Sequence, residues 1–202
     1  DSKHASQSVA WGDMDGDGDL DLAIASREQA NKVYVNHRGS LQKAPTGVSH
    51  DQRVSDGGGW GDMDNDGDLD LAVGNRGDFI KVFANQNGLL EESPGWSSDE
   101  PNLTTSLAWG DVDGDGDLDL GVGGDGSIEL YLNQSGKLKT AAAWTSSDDT
   151  YTNSVAWGDL DDDGDLDLAA GGNGRIRVYL NLSGSLQGTA VWMSEDESET
   201  SS

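Results

Sequence analysis

The chain has 202 residues, enough to bury a good core, and carries 12 Lys and Arg against 38 Asp and Glu, a formal charge of -26. So acidic a surface excludes nucleic acid as a partner, because phosphate binding needs a basic face, and an anionic membrane repels it too. With no Cys there is neither a disulfide frame nor a thiolate metal site, and no apolar run is long enough to insert into a bilayer.

The first predicted element is a strand, SVAW, that leads into the phrase WGDMDGDGDLDL at residues 11–22. LDLAIAS continues it, with Leu20, Leu22 and Ile24 on one side, which is the two-residue period of a second strand. KVYVN follows as a third strand, apolar on both faces, and then a turn closing on Gly39. The same order returns three times. The acidic phrase begins at Trp11, Trp60, Trp109 and Trp157, in steps of 49, 49 and 48 residues. KVFAN, ELYLN and RVYLN repeat the third strand, and Gly88, Gly136 and Gly184 repeat the turn. A weaker stretch after the turn, such as GKLKTA, is the expected fourth strand. A second tryptophan series, Trp96, Trp144 and Trp192, closes each copy except the first, where Gly47 stands at its place.

Four short strands in about 50 residues, repeated, predict an all-β fold: a β-propeller-type array of four four-stranded blades. The expected boundaries are the end of a preceding blade at 1–7, then blades at about 8–56, 57–105, 106–153 and 154–202 of a single repeat domain. A β-solenoid is the rival, although its coils are usually shorter. In the second blade Asp56-Gly57-Gly58-Gly59 replaces apolar strand residues, so its first strand should be the weakest.

Numbered from its first aspartate, the acidic loop places carboxylates at positions 1, 3, 5, 7 and 9, with Gly at 6. These are Asp13, Asp15, Asp17, Asp19 and Asp21; Asp62, Asp64, Asp66, Asp68 and Asp70; Asp111, Asp113, Asp115, Asp117 and Asp119; and Asp159, Asp161, Asp163, Asp165 and Asp167. Odd positions of a tightly curled loop can converge on one ion, and Ca²⁺ takes six to eight oxygen ligands. Position 7 ordinarily gives its backbone carbonyl. Like charges a few ångströms apart cost on the order of 1–4 kcal/mol per pair, so four such clusters call for cations. The loop departs from the helix-flanked calcium hand: position 12 is Ile24, Val73, Val122 or Ala170 rather than Glu, and strands flank it. An all-oxygen set favours Ca²⁺, then Mg²⁺, with Zn²⁺ disfavoured. Four Ca²⁺, one per blade, would move the formal charge from -26 to -18.

The D-x-D-x-D-G-D-L-D phrase preceded by Trp-Gly closely resembles the FG-GAP/VCBS repeat family, the calcium-binding propeller blades also found in integrin α-subunits. By that resemblance the loop joins the first two strands of a blade, its Ca²⁺ is structural, and the protein is secreted or displayed at the cell surface. The role it implies is structural or adhesive. A lectin-like carbohydrate-binding module, or an accessory domain of a larger polysaccharide-active protein, is the alternative. Partners would then be calcium, surface glycans or proteins, or the chain itself. Family propellers usually close with seven blades and this chain has four. Residues 1–7 and the tail SEDESETSS align with the same segment before the fourth acidic phrase, so the chain begins and ends at one phase of the repeat. That is expected of a slice from a longer array, a compact four-bladed ring, or a protomer continuing into its neighbour head to tail.

No nucleophile–base pair or second free carboxylate nominates an enzyme, since the clustered acids are assigned to metal. His4, His37 and His50 are unrepeated and expected at the surface. The tryptophans of the WGD series are expected in the core, whereas Trp96, Trp144 and Trp192 suit either packing or sugar stacking. Asn102, Asn133 and Asn181 head glycosylation triplets, the last two within the turn motif.

Overall fold

The computed structural model describes residues 6–26, 30–47, 55–148, 151–172 and 174–195, and every regular element among them is a β-strand. His4, His50 and most of the acidic tail lie outside the described residues. The first unit comprises β1 (Ser6–Gly12), β2 (Asp21–Ser26), β3 (Lys32–Tyr34) and β6 (Thr46–Gly47), with a small hairpin of β4 (Asn36–His37) and β5 (Ser40–Leu41) at one end. The second has β7 (Ser55–Gly61), β8 (Asp70–Asp78), β9 (Lys81–Phe83) and β10 (Trp96–Ser97). The third has β11 (Asn102–Gly110), β12 (Asp119–Gly124), β13 (Glu129–Tyr131) and β14 (Trp144–Thr145). The fourth has β15 (Thr152–Gly158), β16 (Asp167–Gly172), β17 (Arg177–Tyr179) and β18 (Trp192–Met193). Each unit is an antiparallel meander in chain order. The array is all-β and propeller-like.

Two details differ from the sequence reading. The fourth strand is not the stretch after the turn but two residues at the second tryptophan position, paired with the third strand as Trp96↔Val82, Trp144↔Leu130 and Trp192↔Val178. GKLKTA makes one bridge, Asn133↔Leu138, and Lys139 donates its backbone N–H to the Leu132 carbonyl at 2.9 Å, just past the end of β13. The units are also not all separate sheets. Because β8 runs on through Arg76–Asp78, it pairs with the early start of β11, Asn102↔Asp78 and Leu103↔Arg76, and fuses units two and three into one eight-stranded sheet. The glycines of β7 do not prevent pairing along β8. A side chain at Gly57 would come within 3.3 Å of the Ser106 backbone, so the small residue lets β11 cross closely.

The core lies between units rather than within them. One cluster joins Met14, Ala23, Val33 and Val35 of unit one to Leu71, Val73 and Phe83 of unit two. A second joins Met63, Ala72, Ile80, Val82 and Trp96 to Leu120, Val122, Tyr131 and Leu138. The third joins Val112, Ile128 and Leu130 to Val155, Leu168, Ala170, Tyr179 and Leu186. Strand two of each inner unit therefore buries both faces, Leu71 and Val73 toward one neighbour and Ala72 toward the other. First strands line up as β1 on β7, β7 on β11 and β11 on β15.

An indole marks every junction. Trp60 Nε1 donates to the Ala10 carbonyl at 3.3 Å, Trp109 to Gly59 at 3.3 Å and Trp157 to Ala108 at 3.0 Å. The rings press on Gly12, Gly61 and Gly110, where an added Cβ would sit 2.7, 2.7 and 2.8 Å from ring carbons. Trp11, by contrast, is exposed. Trp109→Ala should cost about 3–5 kcal/mol by opening a junction. Trp11→Ala should stay within about 0.5 kcal/mol, as surface changes do. Chemical denaturation of both variants, at low protein concentration, checks the contrast; equal losses would contradict this account of the core.

Candidate metal loops

Each acidic loop connects the first two strands of its unit, β1 to β2 in the first, and the five aspartates divide into distinct roles. The position-9 residues, Asp21, Asp70, Asp119 and Asp167, are buried at the start of strand two. Their Oδ2 atoms accept the position-2 N–H groups of Met14 (2.9 Å), Met63, Val112 and Leu160 (2.8 Å each). Their Oδ1 atoms accept the N–H of Asn36, Asn85 and Asn133 (2.7 Å each) and Asn181 (2.8 Å), the residues leaving strand three. Position 9 thus ties both ends of its loop to the next hairpin.

Position 7 holds that hairpin's tip. Asp19, Asp68, Asp117 and Asp165 accept the N–H of Arg38, Asn87, Ser135 and Ser183. Those four residues have φ of 54–55°, and Gly39, Gly88, Gly136 and Gly184 follow at 77–84°, so two consecutive left-handed residues make each turn the mirror-image type that suits strand twist. Position 7 therefore spends its side chain on the turn, unlike the carboxylates at 1, 3 and 5.

The remaining carboxylates face one another. Position-1 Oδ2 accepts the position-6 glycine N–H at 3.0–3.1 Å in all four loops. The other oxygen, Oδ1, of Asp13 and of Asp111 is buried with no hydrogen-bond partner. Position-5 Oδ1 accepts the position-7 N–H at 2.9 Å in every loop. Position 4, which is Gly16, Asn65, Gly114 or Asp162, turns at φ of 60–74°, a region these residue types tolerate. This curl brings ligand atoms within 4.8 Å of one another in four sets: Asp13, Asp15 and Asp21; Asp62, Asp64 and Asp66; Asp111, Asp113 and Asp115; and Asp159, Asp161 and Asp167. Asp163 is outside the fourth set, and the position-7 residues are outside all of them.

Burial and like charge act together on the carboxyls of these loops. Burial pushes the Asp70 and Asp119 carboxyls up to about 6, against backbone hydrogen bonds that pull them down. Burial also raises Asp64 and Asp113, and the neighbouring Asp66 and Asp115 carboxylates raise them further. Asp17 goes the other way, lowered by the Asp19 N–H and by His37. His37 Nδ1 stands 3.3 Å from Asp17 Oδ2, and Asp15, Asp17 and His37 form a fifth set. A lone, unrepeated histidine gave no sequence signal of this; its counterparts are Gln86, Gln134 and Leu182. The cages are all-oxygen and carry two unpartnered buried oxygens, which fits a hard cation such as Ca²⁺.

The loops also touch across junctions. Asn85 Nδ2 donates to Met14 O (2.8 Å), Asn133 to Met63 O (2.7 Å) and Asn181 to Val112 O (2.7 Å), each reaching into the preceding unit's loop. Asn133 and Asn181 are fully buried in these bonds, which leaves no room for a glycan on either. Trp96 and Trp144 pack edge-on against Tyr131 and Tyr179 of the next unit, with ring centroids 5.5 and 5.6 Å apart, which uses them for packing.

Repeated propeller-like meanders with this loop define a class, and a family model identifies it. The model for the FG-GAP-like repeat matches residues 13–73, 62–122 and 114–170, and the chain belongs to that family. No curated protein matches the sequence. Among solved structures it resembles BBS1N in complex with ARL6DN, at TM-score 0.61 and 19% identity, over 95% of this chain and 57% of that one. It resembles the V. cholerae biofilm matrix protein Bap1 at 0.60 and 21%, over 95% and 28%. An Agrocybe aegerita lectin that recognises non-reducing terminal N-acetylglucosamine gives 0.60 and 17%, over 96% and 52%. The chain spans between about a quarter and three-fifths of these relatives.

Without metal, the raised carboxyls at Asp70 and Asp119 set a pH slope. Their folded values near 6 exceed the unfolded value near 3.9, so they add stability at low pH that is lost as pH rises through about 6. Chelator-treated protein should therefore be measurably more stable at pH 5 than at pH 7. Thermal unfolding in chelator across that window reads it, and a flat or opposite slope would count against the described burial of these carboxylates.

Proposed function

We propose that the chain is an extracellular, calcium-stabilised four-bladed propeller array with a structural or adhesive role, and not an enzyme. The observation that carries this reading is the fourfold cage: in each loop a converging set of carboxylates held in place by the backbone of the next hairpin. In each loop, positions 1, 3, 5 and 9 would supply oxygens to one Ca²⁺, with position 7 offering its carbonyl while its side chain holds the turn. An ion there would neutralise the mutual repulsion and brace the loop that the following unit leans on, so its contribution is to stability rather than chemistry. His37 would bias the first cage away from the other three. Family membership and the likeness to a biofilm matrix protein support a surface or matrix setting. The lectin alternative is weakened because Trp96 and Trp144 are used in packing.

Calcium should raise the unfolding midpoint steeply, since an ion bound only by the folded state stabilises it by about 2.7 kcal/mol per site at a hundredfold excess over Kd. Asp115→Asn should bind one ion fewer than wild type by calorimetry and lose a corresponding share of the calcium-dependent stabilisation. In chelator the same variant should unfold like wild type or slightly later, because it removes one repelling charge. An unfolding midpoint indifferent to calcium and chelator would sink the reading.

A further inference from the structure

The first acidic loop differs from the others in what its position-5 carboxylate faces. In loops two and three, positions 1, 3 and 5 converge, as Asp62, Asp64 and Asp66 and as Asp111, Asp113 and Asp115. In the first loop the converging set is Asp13, Asp15 and Asp21, and Asp17 groups instead with Asp15 and His37. Those three residues offer two carboxylate oxygens and one ring nitrogen, all within 4.8 Å of one another. Asp17 Oδ2 lies 3.3 Å from His37 Nδ1, while its Oδ1 accepts the Asp19 N–H at 2.9 Å. On the far side of the ring, His37 Nε2 is 3.3 Å from the side-chain amide of Gln42. Gln42 is itself fixed to the hairpin, its backbone N–H donating to the Val35 carbonyl at 2.8 Å. Asp15 is braced from the other side, since a Cβ on Gly88 of the next unit would come 2.9 Å from its own Cβ. Asp163 also lies outside its cage, but Leu182 stands at the histidine's position there and offers no ligand atom.

We propose that Asp15, Asp17 and His37 hold a first-row transition-metal dication of the imidazole-binding kind, typified by Zn²⁺, at the first loop alone. Imidazole nitrogen suits such ions, whereas Ca²⁺ takes oxygen ligands. The histidine enters from 20 residues beyond Asp17, which is why the loop phrase by itself argues against zinc. A metal-binding histidine is ordinarily oriented by a partner on its other ring nitrogen, and Gln42 is that partner here. With the amide oxygen of Gln42 accepting Nε2–H, the Nδ1 lone pair is left for the ion. The His37 side chain is 59% exposed, so water reaches the remaining coordination positions. Asp15 and Asp17 are also positions 3 and 5 of the calcium cage, and an ion held by them takes two of its carboxylates. Zinc and calcium therefore compete for the first loop, while the other three keep calcium. That competition rests on the calcium reading; the histidine site does not.

Calorimetric titration of the full chain with Zn²⁺ in calcium-free buffer tests the site. Wild type should bind one ion more tightly than any other. His37→Gln installs the residue that units two and three carry at this position, and it should weaken that ion about tenfold or more. His4→Gln and His50→Gln should leave it unchanged. One equivalent of Cu²⁺ should show nitrogen coupling from a single imidazole in its electron paramagnetic resonance spectrum, and His37→Gln should abolish it. Unfolding midpoints in chelator should match wild type in all three variants, which separates a lost ligand from lost folding. Zinc added to calcium-saturated protein should leave one zinc and three calcium ions per chain by metal analysis. Zinc uptake that His37→Gln leaves unchanged, or a nitrogen coupling that survives it, would overturn the site whatever calcium does. One His37-dependent zinc in a chain that takes up no calcium would uphold the site and overturn the calcium reading instead. Four calcium ions kept beside one zinc would overturn the competition.

Discussion

Everything in this architecture depends on an indole of one unit lying on a glycine of the unit before. Each unit is a meander whose third and fourth strands are three and two residues long, too little to enclose apolar side chains of its own. Burial becomes possible only where two meanders face each other, and all three hydrophobic clusters straddle junctions. The glycine lets the ring approach the strand, and the ring's N–H meets a carbonyl two residues earlier, so the apolar contact also satisfies its polar edge. Stability in such an array is a sum of nearest-neighbour interfaces rather than a property of one central core.

The acidic loops are part of the same junctions. Gly88, Gly136 and Gly184 sit so close to Asp15, Asp64 and Asp113 of the preceding unit that an added Cβ would come within 2.9–3.1 Å. The asparagine before each of these turns bonds the preceding loop's position-2 carbonyl, and the position-9 aspartate behind it accepts that asparagine's N–H. The chain of contacts runs from one loop, through a turn, to the next loop. A change in the shape or charge of one cage is therefore felt at the neighbouring unit's hairpin, and the repulsion within each cage acts directly on the surface that holds two units together.

How much of this the sequence disclosed depends on the range of the interaction. The repeat, the strand before and after each loop, and the curl at glycine are local, and WGDMDGDGDLDL states them directly. The division of labour among the aspartates is not local. Nothing in the spacing says that Asp117 bonds the Ser135 N–H or that Asp119 is braced by Asn133, because those partners lie 18 and 14 residues away in sequence. The fourth strand was misplaced for a similar reason. GKLKTA alternates like a strand, but the register available beside β13 is taken two residues at a time by the segment at Trp144, whose ring is drawn to Tyr179 in the next unit. His37 carried no pattern at all. Its place beside Asp17 follows from where the β4 end of the hairpin returns to the loop.

The one irregular copy explains the second tryptophan series better than the regular ones do. Unit one has Gly47 where the others have Trp96, Trp144 and Trp192, and across its junction stands Phe83 where the others have Tyr131 and Tyr179. Where the indole is present, its partner is a tyrosine whose hydroxyl reaches a carboxylate, Glu129 at 2.7 Å or Asp148 at 2.9 Å. Where the indole is missing, the hydroxyl is missing too, and a plain phenyl ring is buried instead. The two positions change together although about 36 residues separate them in the chain, because they are neighbours across a junction and not within a unit. A side chain whose identity tracks its partner in the next unit belongs to the interface, and on that ground the second tryptophan series is junction packing, with Trp192 its exposed member.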